Sequence, residues 1–91
     1  MSIKSLTGGQ IRSARALLKW NAQELAKHSS LGVNTIRRAE ATDHATSLTV
    51  ANDLAIRRAL ESAGVEFIDE NGGGPGIRLR KRHQKKGQAS R

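Results

Sequence analysis

Apolar residues recur at helical spacing over four stretches of the chain and then alternate over two short ones. The first run, Ile11, Ala14, Leu17 and Leu18, predicts a helix over residues 8–19 with one buried stripe. Thr7 and Gln10 have the three-residue spacing of a capping box, and Leu6 and Ile11 can close over it as a hydrophobic staple. The next two runs lie in residues 20–40, WNAQELAKHSSLGVNTIRRAE. Asn21 and Glu24 form a second capping box, stapled by Trp20 and Leu25; Leu25 and Ala26 face inward and Lys27 outward. Ser29-Ser30 then breaks the period, and Gly32 can cap a third helix over residues 33–41. Helices joined by so tight a turn cross steeply. Small Ala26 suits the crossing point, and Leu31 and Ile36 fill the angle.

Residues 41–48, ATDHATSL, read as polar turn material. A fourth helix should start near Thr49, run to Ala63 and end at Gly64 as a left-handed cap. It carries two apolar stripes: Ile56, Ala59, Leu60 and Ala63 form one, and Val50, Ala51 and Leu54 the other. The second stripe either meets another surface, such as a second subunit, or lies under a loop. After Gly64 the period changes to two. Residues 65–69 and 77–80 read as the strands of a hairpin around a glycine-rich loop. Val65 and Phe67 can pack with Ile77 and Leu79, leaving Glu66 opposite Arg78 or Arg80. The loop does not have the pattern of a phosphate cradle, because no helix and no Lys-Ser/Thr follow it. A lone two-stranded ribbon is hardly stable in water, so it must pack on the helices or pair with a partner's ribbon.

The second and third helices together read as a helix-turn-helix, in which the later helix enters the DNA major groove. The segment resembles the helix-turn-helix of phage repressors and Cro proteins, the Xre-type family. Asn21, Glu24-Leu25-Ala26, Thr35-Ile36 and Glu40 carry the resemblance, which covers roughly residues 7–63. Two positions depart from the family pattern: Ala22 stands where Gln is usual, and Ser30 where the turn usually has Gly. The resemblance implies a mainly α, lambda-repressor-like bundle of four helices. It also implies an ion pair between Arg15 and Glu40, and base-facing positions at Val33, Asn34 and Arg38. The chemistry suits that assignment: Asn34 can bond adenine in pairs, Arg38 can fork onto guanine, and Val33 can touch a thymine methyl. Asn21, Thr35 and Arg37, with Gln23 behind them, are better placed for phosphate, which positions the protein without reading sequence. The alternative for Arg37 and Arg38 is a solvated helix face.

Composition narrows the setting. The chain has 91 residues, 36% of them apolar, with one Trp and one Phe, so a small core must be built from Leu, Ile, Val and Ala. Burial against a second copy would help so small a core. There is no cysteine, hence no disulfide framework and no thiolate chemistry. The start, MSIKSLTGGQ, lacks the apolar run of a signal peptide, and no stretch is long enough to span a bilayer, which fits a cytoplasmic, nucleoid-associated protein. The formal charge is +8, contributed equally by residues 1–64 and 65–91, and such an excess favours nucleic acid over membrane.

His28, His44 and His83 lie in separate segments without ligand spacing, so neither a metal nor another cofactor is expected, and no nucleophile has an evident base. Residues 81–91, KRHQKKGQASR, are basic and aperiodic and should be disordered, as an extra phosphate contact, a minor-groove arm or a solubility tail. The expected organisation is therefore a DNA-binding unit over 1–64, a hairpin over 65–80 that packs or dimerises, and the tail. The expected function is a sequence-specific transcriptional regulator, not an enzyme, acting as a homodimer on a palindromic site in double-stranded DNA. The alternative keeps the fold and drops the DNA: a protein-interaction module, such as an antitoxin or anti-activator, with a regulatory protein as partner.

Overall fold

The structure, a computed structural model, describes residues 6–68 and 76–80. Its order is α1 (Gly8–Leu18), α2 (Ala22–Ser29), α3 (Val33–Glu40), α4 (Val50–Ser62), β1 (Val65–Ile68) and β2 (Gly76–Leu79). The expected mainly α architecture with a small antiparallel hairpin is what forms. The glycine-rich loop, the strand end at Asp69, His83 and the basic tail at 81–91 lie outside the described residues.

Both capping boxes close. The Thr7 hydroxyl accepts from the Gln10 N–H at 3.0 Å while the Gln10 side chain accepts from the Thr7 N–H at 2.9 Å. Asn21 and Glu24 make the same exchange at 2.8 and 2.7 Å. α4 is capped by Thr49, whose hydroxyl accepts from the Asn52 N–H at 3.1 Å. Each bond satisfies a first-turn donor that the helix itself cannot. The helix ends differ slightly from the expectation: α1 stops at Leu18 and α3 at Glu40. Ser29 belongs to α2, and its buried hydroxyl donates to the Leu25 and Ala26 carbonyls one turn back.

The break falls instead at Ser30, in the left-handed conformation with φ 60° and ψ 32°. Lys19 takes the same conformation after α1 (φ 60°), and the chain reverses there as well. A Cβ in this region crowds the backbone, at a cost of order 1–2 kcal/mol. Ser30→Gly should therefore raise unfolding stability by about 1 kcal/mol, read as a higher urea midpoint with an unchanged slope. No gain, or a loss, would show that the Ser30 side chain makes a compensating contribution.

Leu6, Ile11, Leu25, Ile36, Ile56, Leu60 and Val65 are fully buried, with Ala14, Ala26, Ala39 and Ala59 between them. Burying one such aliphatic side chain contributes roughly 1.5–3 kcal/mol, so the contacts among the four helices hold the fold. The α1 stripe is narrower than expected. Leu17 is 40% exposed, and Ile11, Ala14 and half-buried Leu18 face the core. On α4 the stripe of Ile56, Ala59 and Leu60 is buried, whereas Val50 is 72% exposed and Ala51 is exposed, so no described loop covers the second stripe. Asp53, in the first turn of α4, is buried and accepts from the Thr46 hydroxyl at 2.7 Å.

The polar segment at 41–48 is tied down rather than loose. Gly8 N–H donates to the His44 carbonyl at 3.1 Å and Thr46 N–H to the Leu6 carbonyl at 2.9 Å. A Cβ on Gly8 would sit 1.8 Å from the Thr42 carbonyl oxygen, so only glycine allows this approach. The ribbon follows Gly64, whose φ of +111° turns the chain out of α4. Its register pairs Val65 with Leu79, Glu66 with Arg78 and Phe67 with Ile77. Glu66 accepts from the Arg78 guanidinium at 2.6 Å, and Arg57 lies 4.6 Å over the Phe67 ring. β1 packs on α4 and β2 on α1, the first of the two arrangements open to the ribbon.

Candidate nucleic-acid interface

α3 divides cleanly by its 3.6-residue period. Ile36 and Ala39 are buried, with Thr35 and Glu40 half-buried beside them. Asn34, Arg37, Arg38 and Ala41 are exposed, spaced one helical turn apart on the opposite face. The α2–α3 connection positions this face: Leu31 N–H donates to the Ala26 carbonyl at 3.0 Å, and Gly32 enters α3 extended without a side-chain cap.

The far end of α3 is clamped to α1. Arg15 Nε donates to Glu40 Oε2 at 2.7 Å and its Nη2 to Oε1 at 2.8 Å, a forked pair; Nη1 donates to the Trp20 carbonyl at 3.0 Å. The two side chains are 22% and 10% exposed, so the pair is largely out of water. The Arg15 guanidinium is held above its usual pKa, chiefly by the hydrogen bond to Glu40, with the nearby charge adding and burial opposing. A raised pKa means stabilisation that is complete at lower pH and lost only as pH rises through the raised value, so Arg15 keeps its contribution across the neutral range. One turn earlier, Arg12 donates to the Glu40 and Thr42 carbonyls and to the Asp43 carboxylate. Sequence reasoning missed Arg12, although it lies three residues before Arg15 and so on the same side of α1.

The residues assigned to bases and phosphates fall into two groups. Asn34, Arg37 and Arg38 share the exposed face of α3. Val33 is half-buried and packs against the core, so only part of its side chain is free to meet a ligand; Thr35 is half-buried on the other flank. Asn21 and Gln23 stand apart at the start of α2, both exposed. The Asn21 carbonyl oxygen is occupied by the capping bond, which leaves its amide nitrogen as donor.

Arg12, Arg15, Arg57 and Arg78 pair with Asp43, Glu40, Glu61 and Glu66, whereas Arg37 and Arg38 pair with no carboxylate among the described residues. Lys19, Lys27, Arg58 and Arg80 also lack a carboxylate partner among the described residues, but only on α3 do two such cations stand side by side. Two adjacent, uncompensated guanidinium groups beside an amide can bind a phosphate chain and hydrogen-bond base edges. Among the described residues no group of His, Cys, Asp or Glu could hold a metal ion, and no helix is long and apolar enough to cross a membrane. His28 is stacked on Trp20, with ring centroids 4.3 Å apart. No family model matches the chain, and no curated protein does.

Proposed function

We propose that the chain is a sequence-specific DNA-binding transcriptional regulator of the Xre type, lambda-repressor-like in fold, with α2 and α3 as its helix-turn-helix. The observation that carries this reading is the α3 face of Asn34, Arg37 and Arg38, uncompensated by carboxylates among the described residues and backed by a helix that is buried on its other side. α3 enters the major groove; Asn34 and Arg38, with the free part of Val33, read bases, and Arg37, Thr35, Asn21 and Gln23 hold phosphates. A homodimer on a palindromic operator presents two such helices about 34 Å apart, one turn of DNA. The setting is the nucleoid of the cytoplasm.

Selection of bound duplexes from random DNA by the purified protein tests this. The expected product is a palindrome with half-sites roughly 10 base pairs apart. Recovered DNA no different in sequence from the input would sink the reading.

A second reading, a protein-interaction module such as an antitoxin or anti-activator, draws on the exposed Val50 and half-buried Leu54 of α4. It fits α3 less well, because protein-docking centres are depleted of charge and this face is centred on two arginines.

A further inference from the structure

α4 carries an outward face that the functional reading leaves unused. Val50, Leu54, Arg58 and Ser62 are each four residues apart, so they form one inclined ridge along the helix surface. Ala51 and Ala55 form the next row, which turns inward at buried Ala59, and their small side chains make the space between the rows a shallow trough. Toward the end of α4 this trough widens into a groove of about 330 Å³ lined by Ala55, Arg58, Ala59 and Ser62, with His28 and Ser29 of α2 as its far wall. Residues 55, 58, 59 and 62 have the i, i+3, i+4, i+7 spacing of the hole that receives a knob from a facing helix. Val50, 72% exposed, is a knob on the same helix.

Knob and hole lie on opposite sides of Leu54, about 6 Å along the helix axis in each direction at 1.5 Å per residue. A two-fold axis through Leu54 therefore brings the Val50 of each copy to the hole of the other. We propose that two copies of the chain associate through α4, antiparallel and crossed, with the ridge of each lying in the alanine trough of the other. This rests on the homodimer part of the reading above and supplies its interface.

Three features select a second copy as the occupant. Ridge and trough are complementary to each other, and packing ridges of this four-residue spacing gives a crossing angle near −50°. The antiparallel arrangement sets the two Arg58 residues about 12 Å apart along the axis, whereas a parallel one would place them side by side. Each Arg58 can then lay its aliphatic stem over the partner's Val50 while its guanidinium reaches solvent. Finally, the ridge is apolar at its start and centre, which suits a protein surface and not a phosphate chain.

The absence of cysteine makes the test direct. Leu54→Cys, at the axis, should form an intermolecular disulfide under mild oxidation, whereas Ser13→Cys on α1 and Ile68→Cys on the ribbon should not. Val50→Asp should weaken self-association tenfold or more in sedimentation equilibrium. Its circular dichroism should stay that of the parent, because an acidic residue in the first turn suits a helix N-terminus. Each measurement is made with and without duplex DNA. Monomer under all conditions would overturn the homodimer and this interface together. A dimer in which Ile68→Cys or Ser13→Cys crosslinks as well as Leu54→Cys, or in which Val50→Asp changes nothing, would leave the homodimer standing and overturn the α4 interface alone.

Discussion

Glu40→Ala is expected to lower the unfolding free energy by about 3 kcal/mol, at the lower end of what breaking a buried ion pair costs. The reason is the state it leaves behind. Arg15 stays mostly buried, at 22% side-chain exposure, with the Trp20 carbonyl as its remaining acceptor. The desolvation of the guanidinium is then no longer offset by the carboxylate. Glu40→Gln keeps one acceptor for Arg15 and should cost less; Arg15→Met strands the Glu40 carboxylate, only 10% exposed, and should cost a similar amount. A double-mutant cycle with Arg15→Met and Glu40→Ala should show coupling well above the scatter of independent sites, about 0.5 kcal/mol. For a domain whose total stability is of the usual 5–15 kcal/mol, the loss is large enough to read from a urea titration. Additive single-variant losses would reduce the pair to an exposed contact. On the proposed reading the effect should also reach function, since the clamp fixes the end of α3: the Glu40→Ala protein, even where still folded, should bind DNA less tightly.

The capping residues, the four helices and the two strands were legible because each leaves a pattern in adjacent residues, whereas the choice of Arg78 over Arg80 opposite Glu66 needed the fold. Thr7 with Gln10 and Asn21 with Glu24 are three apart, and the alternation around Glu66 and Arg78 marks one strand face. Ser30 was visible as a non-glycine residue where the resemblance puts Gly, and it does take positive φ. The tethering of the segment at 41–48 was not legible. Its bonds run from the Gly8 and Thr46 backbone N–H groups, and backbone pairing across nearly forty residues leaves no side-chain signature. Asp53 reads from sequence as an ordinary first-turn acid; only the fold brings Thr46 over it. Leu17 was misplaced for a simpler reason. Spacing shows that it lies near the buried stripe of α1, but the width of that stripe depends on what packs against it, and β2 and α3 cover less of the helix than four apolar positions would need.

The same limit applies to the candidate interface. That Asn34, Arg37 and Arg38 share a face follows from a period of 3.6; that the face is open and uncompensated needs the ion pairs elsewhere to be known. Which of the three reads a base follows from neither. It depends on where the duplex lies, so the division between reading and holding must come from binding measurements.

Those measurements should separate the two arginines. On the proposed reading Arg38→Ala removes a forked bond to guanine, so it should cost about 1–3 kcal/mol on the preferred site and relax preference at one base position. Arg37→Ala removes a phosphate contact. It should weaken binding to all sequences similarly and make the dependence of log affinity on log salt shallower by about 0.9. Both side chains are exposed and unpaired with any described carboxylate, so neither change should disturb folding, which circular dichroism checks. Deleting residues 81–91, with their five Lys and Arg, should resemble the Arg37 change, because a basic segment adds charge but little reading. Competition of a selected duplex against a scrambled one, repeated at several salt concentrations, distinguishes the cases. Suppose that the parent protein binds both duplexes alike at moderate salt and that the two arginine variants fall together. Its affinity is then only that of a basic surface, base reading by α3 is lost, and α3 becomes a surface for an acidic protein partner.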